Sequence, residues 1–184
     1  FQDGSPVTAD DVIFSYQSLV EKGQPLYKVY YADVEKVEKI SDREVRFHFK
    51  KDSHNRELPL ILSQIKIYSA KDWEGIDFSK PTLRIPLGSG PYRLEKFEQG
   101  RYLVFKRDPD YWAKDLPSRK GFFNFDEIRF DYYQDTTVTL QALFAGSIDV
   151  REEYIAKIWV TGYDNNLVKS GKIVKENIAH NNAA

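Results

Sequence analysis

Three short loop motifs, at fixed separations in the middle of the chain, most constrain how it can fold. They occupy residues 87–92, 107–112 and 124–126, and they are rich in the glycine, proline, aspartate and asparagine that favour turns. The segments between the motifs have the composition of strands. Residues 92–98 and 101–107 are predicted strands joined at Gln99-Gly100, which is the clearest hairpin signal in the sequence.

The remaining periodicity predicts an α+β fold. A capping box of Thr8 and Asp11 predicts a helix over residues 9–21 that ends near Gly23. A second helix is predicted to begin at Asp135 or Thr136 and to stop at Gly146. The other predicted elements are strands at 34–40, 45–49, 128–133, 148–150 and 172–175, a short helix within 58–65, and a loop over 73–86 that contains a domain boundary.

The composition excludes several classes of function. The 184 residues carry a net charge of -1, so the chain has no basic field that would attract nucleic acid. No apolar run approaches the length of roughly 18 residues that a membrane span needs. The absence of cysteine excludes disulfides and thiolate metal sites. Because the sequence opens without Met or a basic leader, we expect it to be an internal piece of a longer protein.

No catalytic motif is evident. His48, His54 and His180 are far apart, and His48 is expected to be exposed on the polar face of a strand. Ser89 lies between glycines, but the following Pro91 prevents the helix start that a nucleophile elbow requires, so a structural turn is predicted there. We expect Gly90 to be required by the backbone of this turn.

Two groups of residues have both a structural and a functional interpretation. Glu152-Glu153 follows a predicted strand and is either a solvated strand end, neutralised by Arg151, or a carboxylate facing a cleft. The cluster of Tyr27, Tyr30 and Tyr31 either packs in the core or lines a ligand groove, because tyrosine combines a flat apolar body with a hydroxyl.

Taken together, the motifs closely resemble the signature of the family 5 extracellular solute-binding proteins, the peptide- and nickel-binding components of ABC importers. The resemblance spans nearly the whole chain, and its motifs lie at residues 1–16, 88–92, 107–112, 124–128 and 145–149. Three further stretches resemble the oligopeptide-binding branch that also takes up microcin C: residues 111–117, 131–135 and 151–163.

This resemblance implies a periplasmic binding protein type II-like fold, in which a hinge joins two lobes and an additional domain is inserted in one lobe. Residues 1–83 would form part of the additional domain and residues 84–151 part of the first lobe. Residues 152–184 would run through the hinge into the second lobe. The acidic residue that holds the peptide's amino terminus in several relatives belongs to a segment that this sequence lacks.

The resemblance also implies a function. The whole protein would capture oligopeptides, including microcin C-like peptides, in the periplasm and deliver them to the permease subunits of the importer. We expect a monomer that is not an enzyme and carries no cofactor or metal. The alternatives are a nickel- or haem-binding receptor of the same family and a hydrolase that uses Glu152 or Glu153.

Four residues are the candidates for the peptide cleft: Tyr30, Tyr31, Glu153 and Trp159. The tyrosines precede a strand of the additional domain, where the family places an aromatic wall against the ligand. Glu153 and Trp159 lie where the chain is expected to enter the hinge. Each of the four also has a core-packing alternative.

Overall fold

The computed structural model describes residues 1–177 and divides the chain into two compact units. The first unit comprises residues 1–130, and the second begins at Asp131. The units are described separately below. The domain boundaries expected after residues 83 and 151 concern the lobes of the family and remain predictions.

The first part of unit 1 is a two-stranded sheet covered by helices. Its elements are α1 (Ala9–Lys22), α2 (Pro25–Tyr30), β1 (Val34–Ser41), β2 (Glu44–Phe49) and α3 (Leu58–Ser63). β1 and β2 are antiparallel, with Val37 opposite Phe47. The core is formed by Tyr31, Leu58 and Leu62, against which Phe47 packs. The predicted helices and strands of this region are confirmed. The six residues of α2 were not predicted as a helix, because they are too few to repeat the helical period and lack the continuous apolar run that indicated α3.

The predicted capping box at the start of α1 is confirmed, and its acidic member does more than cap the helix. Asp11 Oδ2 accepts hydrogen bonds from the Thr8 backbone N–H (2.8 Å) and the Thr8 hydroxyl (2.9 Å). Its other oxygen, Oδ1, accepts from the Ala70 N–H (2.8 Å). One turn later, the Ser15 hydroxyl accepts from the Tyr68 N–H (2.7 Å). Two polar side chains of α1 therefore fix the segment around residues 68–70.

The second part of unit 1 is a three-stranded sheet of β3 (Tyr92–Glu98), β4 (Tyr102–Arg107) and β5 (Glu127–Asp131), in that order. The predicted hairpin is confirmed: β3 and β4 are antiparallel, with Glu98 paired with Tyr102 across the turn. Gly100 has a φ of 72°, which is the left-handed conformation that such turns need.

Between residues 131 and 177, unit 2 contains three helices, α4 (Thr136–Phe144), α5 (Ala156–Thr161) and α6 (Asn166–Lys169). Asp135 caps α4, since its carboxylate accepts from the Val138 N–H (2.8 Å), and Gly146 ends the helix with a φ of 70°. The strands predicted at 148–150 and 172–175 are wrong. Neither segment pairs with a strand among residues 1–177, and a short apolar run adopts a strand only where a neighbouring edge supplies hydrogen bonds.

Candidate functional site

The first two loop motifs are joined by hydrogen bonds to backbone oxygens. The indole N–H of Trp112 donates to the Ser89 carbonyl (3.0 Å), and the Asp108 N–H donates to the Pro91 carbonyl (2.8 Å). The Asp108 carboxylate is buried and accepts from the Arg93 guanidinium (2.8 Å). The loop that precedes β3 and the loop that follows β4 thus lie against each other at the open end of the hairpin.

The third motif joins the same assembly. The Tyr92 hydroxyl donates to the Phe125 carbonyl (2.9 Å), and the Arg107 N–H donates to the Asp126 carbonyl (2.8 Å). The Arg107 guanidinium also bonds the Asp126 carboxylate. All three motifs therefore meet beside the sheet, as a frame in which most contacts use main-chain atoms.

The N-terminal segment closes this frame through Gln2. The Gln2 amide nitrogen donates to the Gly90 carbonyl (3.0 Å) and the Tyr92 carbonyl (2.8 Å), and its Oε1 accepts from the Gly88 N–H (3.3 Å). The backbone N–H of Gln2 donates to the Gly88 carbonyl (2.9 Å). One side chain thereby satisfies three main-chain groups of the loop.

The expectation that the backbone of the loop requires Gly90 is wrong. A Cβ atom built at Gly90 meets nothing within 4 Å, and Gly90 is not among the glycines of positive φ. The close approach occurs at Gly88, where a Cβ would lie 3.1 Å from Gln2 Oε1. The sequence could not locate this approach, because Gln2 is 86 residues away from Gly88.

Of the two tyrosine candidates, one is exposed and one is buried. Tyr30, the last residue of α2, is 46% exposed. Tyr31 is 5% exposed and packs in the core, with its ring 5.7 Å from that of Tyr16 and 6.2 Å from that of Tyr27. Burial raises the pKa of the Tyr31 hydroxyl. Tyr31 thus has the core position that was one of its two interpretations, whereas Tyr30 is free to face a ligand.

Glu153 is a buried member of an ion pair. Its side chain is 3% exposed and that of Arg151 is 5% exposed, with 2.8 Å between Arg151 Nη2 and Glu153 Oε2. Glu153 Oε1 accepts from the Ile155 N–H (2.9 Å), and Oε2 accepts from the Tyr163 hydroxyl (3.4 Å). Arg151 therefore neutralises Glu153, and the carboxylate has three partners: the Arg151 guanidinium, the Ile155 N–H and the Tyr163 hydroxyl.

Trp159 lies in the same group through Tyr163. The two rings are 6.1 Å apart, and Lys175 Nζ lies 4.4 Å from the Trp159 ring centre and 5.3 Å from that of Tyr163. Lys175 also donates to the Trp159 carbonyl. Burial raises the pKa of Tyr163, the charge of Arg151 opposes that rise, and Glu153 adds to it.

We name this group the Tyr163 cluster; its members are Arg151, Glu153, Trp159, Tyr163 and Lys175. The structure thus brings together two of the four predicted site residues, Glu153 and Trp159. The sequence interpretation missed Tyr163, which lies two residues beyond the end of α5 and four residues after Trp159. The available signal was the closeness of these two aromatic residues in the sequence, and it was not used.

His48 belongs to a separate ion pair. His48 Nε2 lies 2.8 Å from Glu38 Oε2, and this contact lowers the pKa of Glu38, with a further contribution from Lys36. His180 lies outside the described residues. Across residues 1–177, no three His, Cys, Asp or Glu side chains are grouped as a metal site. In the same range, no helix combines the length and apolar character needed to cross a membrane.

Comparison with known proteins establishes the family. The model of the middle region of the bacterial extracellular solute-binding proteins, family 5, matches residues 1–181. The chain belongs to this family. The predicted resemblance is therefore confirmed over nearly the whole length of the sequence.

Relatives of this family 5 chain are much longer than the chain itself. It is 37% identical over 183 residues to a probable peptide-binding protein, YejA, of Agrobacterium fabrum, and 40% identical over 184 residues to the peptidoglycan-binding protein YepA of the same organism. Each alignment covers 96% of this chain and 30% of the relative. The chain thus spans less than a third of these relatives.

A solved structure supports the fold. The oligopeptide-binding protein AppA of Bacillus subtilis, in complex with a nonapeptide, matches with a TM-score of 0.61 and 25% identity, over 80% of this chain and 29% of AppA. The family 5 chain therefore has the α+β structure of part of a bilobal, periplasmic binding protein type II-like protein, as predicted.

Proposed function

We propose that this chain is part of the substrate-binding component of an ABC importer, which captures oligopeptides in the periplasm and delivers them to the permease subunits as a monomer. The observation that carries the proposal is the family match over residues 1–181. The peptide is the favoured ligand because a relative is named as peptide-binding and a structural neighbour holds a nonapeptide.

The candidate contacts are those of the sequence prediction: Tyr30, Tyr31, Glu153 and Trp159. Exposure supports Tyr30, and its aromatic body suits an extended peptide, whose main chain can be bound with little regard to side chains. Trp159 is supported by its place beside a cation and a second ring, which form a preorganised aromatic surface. Because Tyr31 is buried, it would contribute by packing in the core and holding the adjacent Tyr30 in position.

A second candidate ligand is a peptide derived from peptidoglycan. The specific observation in its favour is the 40% identity to a protein named as peptidoglycan-binding. Such peptides carry extra carboxylates, so they differ chemically from ordinary oligopeptides. Uptake of microcin C-like peptides remains a third prediction, supported by the branch resemblance of residues 111–117, 131–135 and 151–163.

We propose binding without catalysis. The hydrolase alternative needs an acid and a base whose pKa values differ. Glu153 is occupied by Arg151 and two further donors, and the neighbouring Glu152 accepts from the hydroxyl of the exposed Tyr154. Both carboxylates thus have local partners, which supports structural roles for them.

The test uses the full-length protein that contains this chain. Native mass spectrometry of the purified protein should show bound peptides, and calorimetry should give saturable binding with ordinary oligopeptides, peptidoglycan-derived peptides or a microcin C-like peptide. The bound peptides should be recovered intact after prolonged incubation. Hydrolysed peptides would contradict the proposal, as would saturable binding of nickel or haem but of no peptide.

A further inference from the structure

Arg151 has an unused donor in a buried position. Its side chain is 95% removed from solvent, since 5% is exposed, and Nη2 is bonded to Glu153. Nη1 is fully buried, and within residues 1–177 no atom accepts a hydrogen bond from it. A buried charged donor without an acceptor is costly, so each one calls for an explanation, and an acceptor on a bound molecule is one such explanation.

Glu153 does not accept a hydrogen bond from Nη1, although it is the ion-pair partner of Arg151. Its Oε1 is bonded to the Ile155 N–H, and its Oε2 already receives Arg151 Nη2 and the Tyr163 hydroxyl. The same contacts hold the guanidinium in place, because Glu153 is tied to the backbone of the residue that precedes α5. Nη1 is thus an unpaired donor on a guanidinium that its ion pair holds in place.

The charge of the Tyr163 cluster favours an anionic acceptor. Its charged members are two cations, Arg151 and Lys175, and one anion, Glu153, which leaves one positive charge in excess. The excess is placed beside two aromatic rings, because Lys175 Nζ lies over both Trp159 and Tyr163. A carboxylate would satisfy Nη1 and balance this charge at the same time.

We infer that Nη1 of Arg151 binds a carboxylate of the peptide ligand. The carboxylate is either the C-terminal group or an acidic side chain, and the chemistry of recognition is the same for both. This inference rests on the proposed function, since it assigns a contact within the peptide site. It makes Arg151, which was regarded only as the neutralising partner of Glu153, a residue that selects the ligand.

The test compares ligands and variants by calorimetry on the full-length protein. The probes are alanine peptides of three to nine residues, each with a free C-terminus, with a C-terminal amide, and as an amide carrying one internal Glu. The variant Arg151→Lys keeps the positive charge but removes Nη1, and Arg43→Gln, in an exposed turn, is the matched control.

We expect the wild-type protein to bind a carboxylate-bearing peptide roughly 10- to 100-fold more tightly than the plain amide. The gap should narrow in Arg151→Lys, which keeps the charge but lacks the second fixed donor, and should persist at full size in Arg43→Gln. Preference for the free C-terminus assigns the terminal carboxylate, and preference for the Glu-containing amide assigns a side chain.

Several results would overturn the inference. Equal affinity of all three peptide types for the wild-type protein would leave the proposed function standing and remove this contact from it, as would a gap of undiminished size in Arg151→Lys. Loss of plain amide binding in Arg151→Lys would show a structural role only. Failure of every peptide to bind the wild-type protein would overturn the proposed function together with this inference.

Discussion

At the scale of single residues, Asp11 both caps α1 and links this helix to a distant segment of the chain. Its buried carboxylate accepts from the backbone N–H groups of Thr8 and Ala70 and from the Thr8 hydroxyl. The first bond stabilises the start of α1, and the second attaches α1 to a segment 59 residues away. The cap could be predicted from the spacing of Thr8 and Asp11, whereas the bond to Ala70 could not, because no local pattern encodes it.

We therefore predict that Asp11→Ala destabilises α1 and the segment around Ala70 together. Two main-chain N–H groups lose their acceptor, at a cost of about 2 kcal/mol in the free energy of local opening. Hydrogen exchange of the full-length protein should be roughly 30-fold faster in both segments. Asp10→Ala is the control, since Asp10 only pairs with Lys39 at the surface. Equal effects of the two variants would contradict this role for Asp11.

At the scale of elements, prediction succeeded where caps and turns mark the ends. Asp135 and Gly146 delimit α4, and Gly100 fixes the β3–β4 turn, each by its own local conformation. The short helices α2, α5 and α6 were missed, because four to six residues are too few to repeat the helical period, whereas the equally short α3 was predicted from its apolar run. The three loop motifs were found in the sequence, but their assembly depends on hydrogen bonds between distant main-chain groups.

Two glycines of this region give a matched test. Gly100 has a left-handed φ of 72°, whereas Gly90 has open space around its Cβ position and no positive φ. We predict that Gly100→Ala weakens the β3–β4 hairpin by about 1 kcal/mol, because an L side chain is strained there, and that Gly90→Ala leaves it unchanged. Hydrogen exchange of residues 92–107 in the full-length protein measures both. A larger effect of Gly90→Ala would restore the backbone requirement for Gly90.

At the scale of the whole molecule, the family and the type of fold could be predicted, because the motifs extend over nearly the whole chain. The candidate site was predicted less completely. Glu153 and Trp159 do lie in one cluster, but burial separates Tyr30 from Tyr31, and adjacent residues of the same type look alike in a sequence. Which of two neighbouring tyrosines enters the core is decided by the packing of α2 against distant residues such as Leu58.

This separation of Tyr30 from Tyr31 leads to a prediction for the full-length protein. Tyr31→Ala removes a core ring, so it should lower the free energy of unfolding by about 3 kcal/mol. Tyr30→Ala should leave stability unchanged and weaken peptide binding by roughly 1–3 kcal/mol, and Trp159→Ala should weaken binding by a similar amount if these rings contact the ligand. Thermal melting and calorimetry separate the two effects.

The stability of each variant serves as the control for its affinity, because a variant that melts like the wild-type protein cannot lose ligand by unfolding. Val29→Ala, on the exposed side of α2, is the matched control for Tyr30→Ala. Each aromatic residue is therefore tested by its own variant and judged against its own melting temperature. Unchanged peptide affinity in both variants would show that neither Tyr30 nor Trp159 contacts the peptide, and both would then be removed from the proposed site.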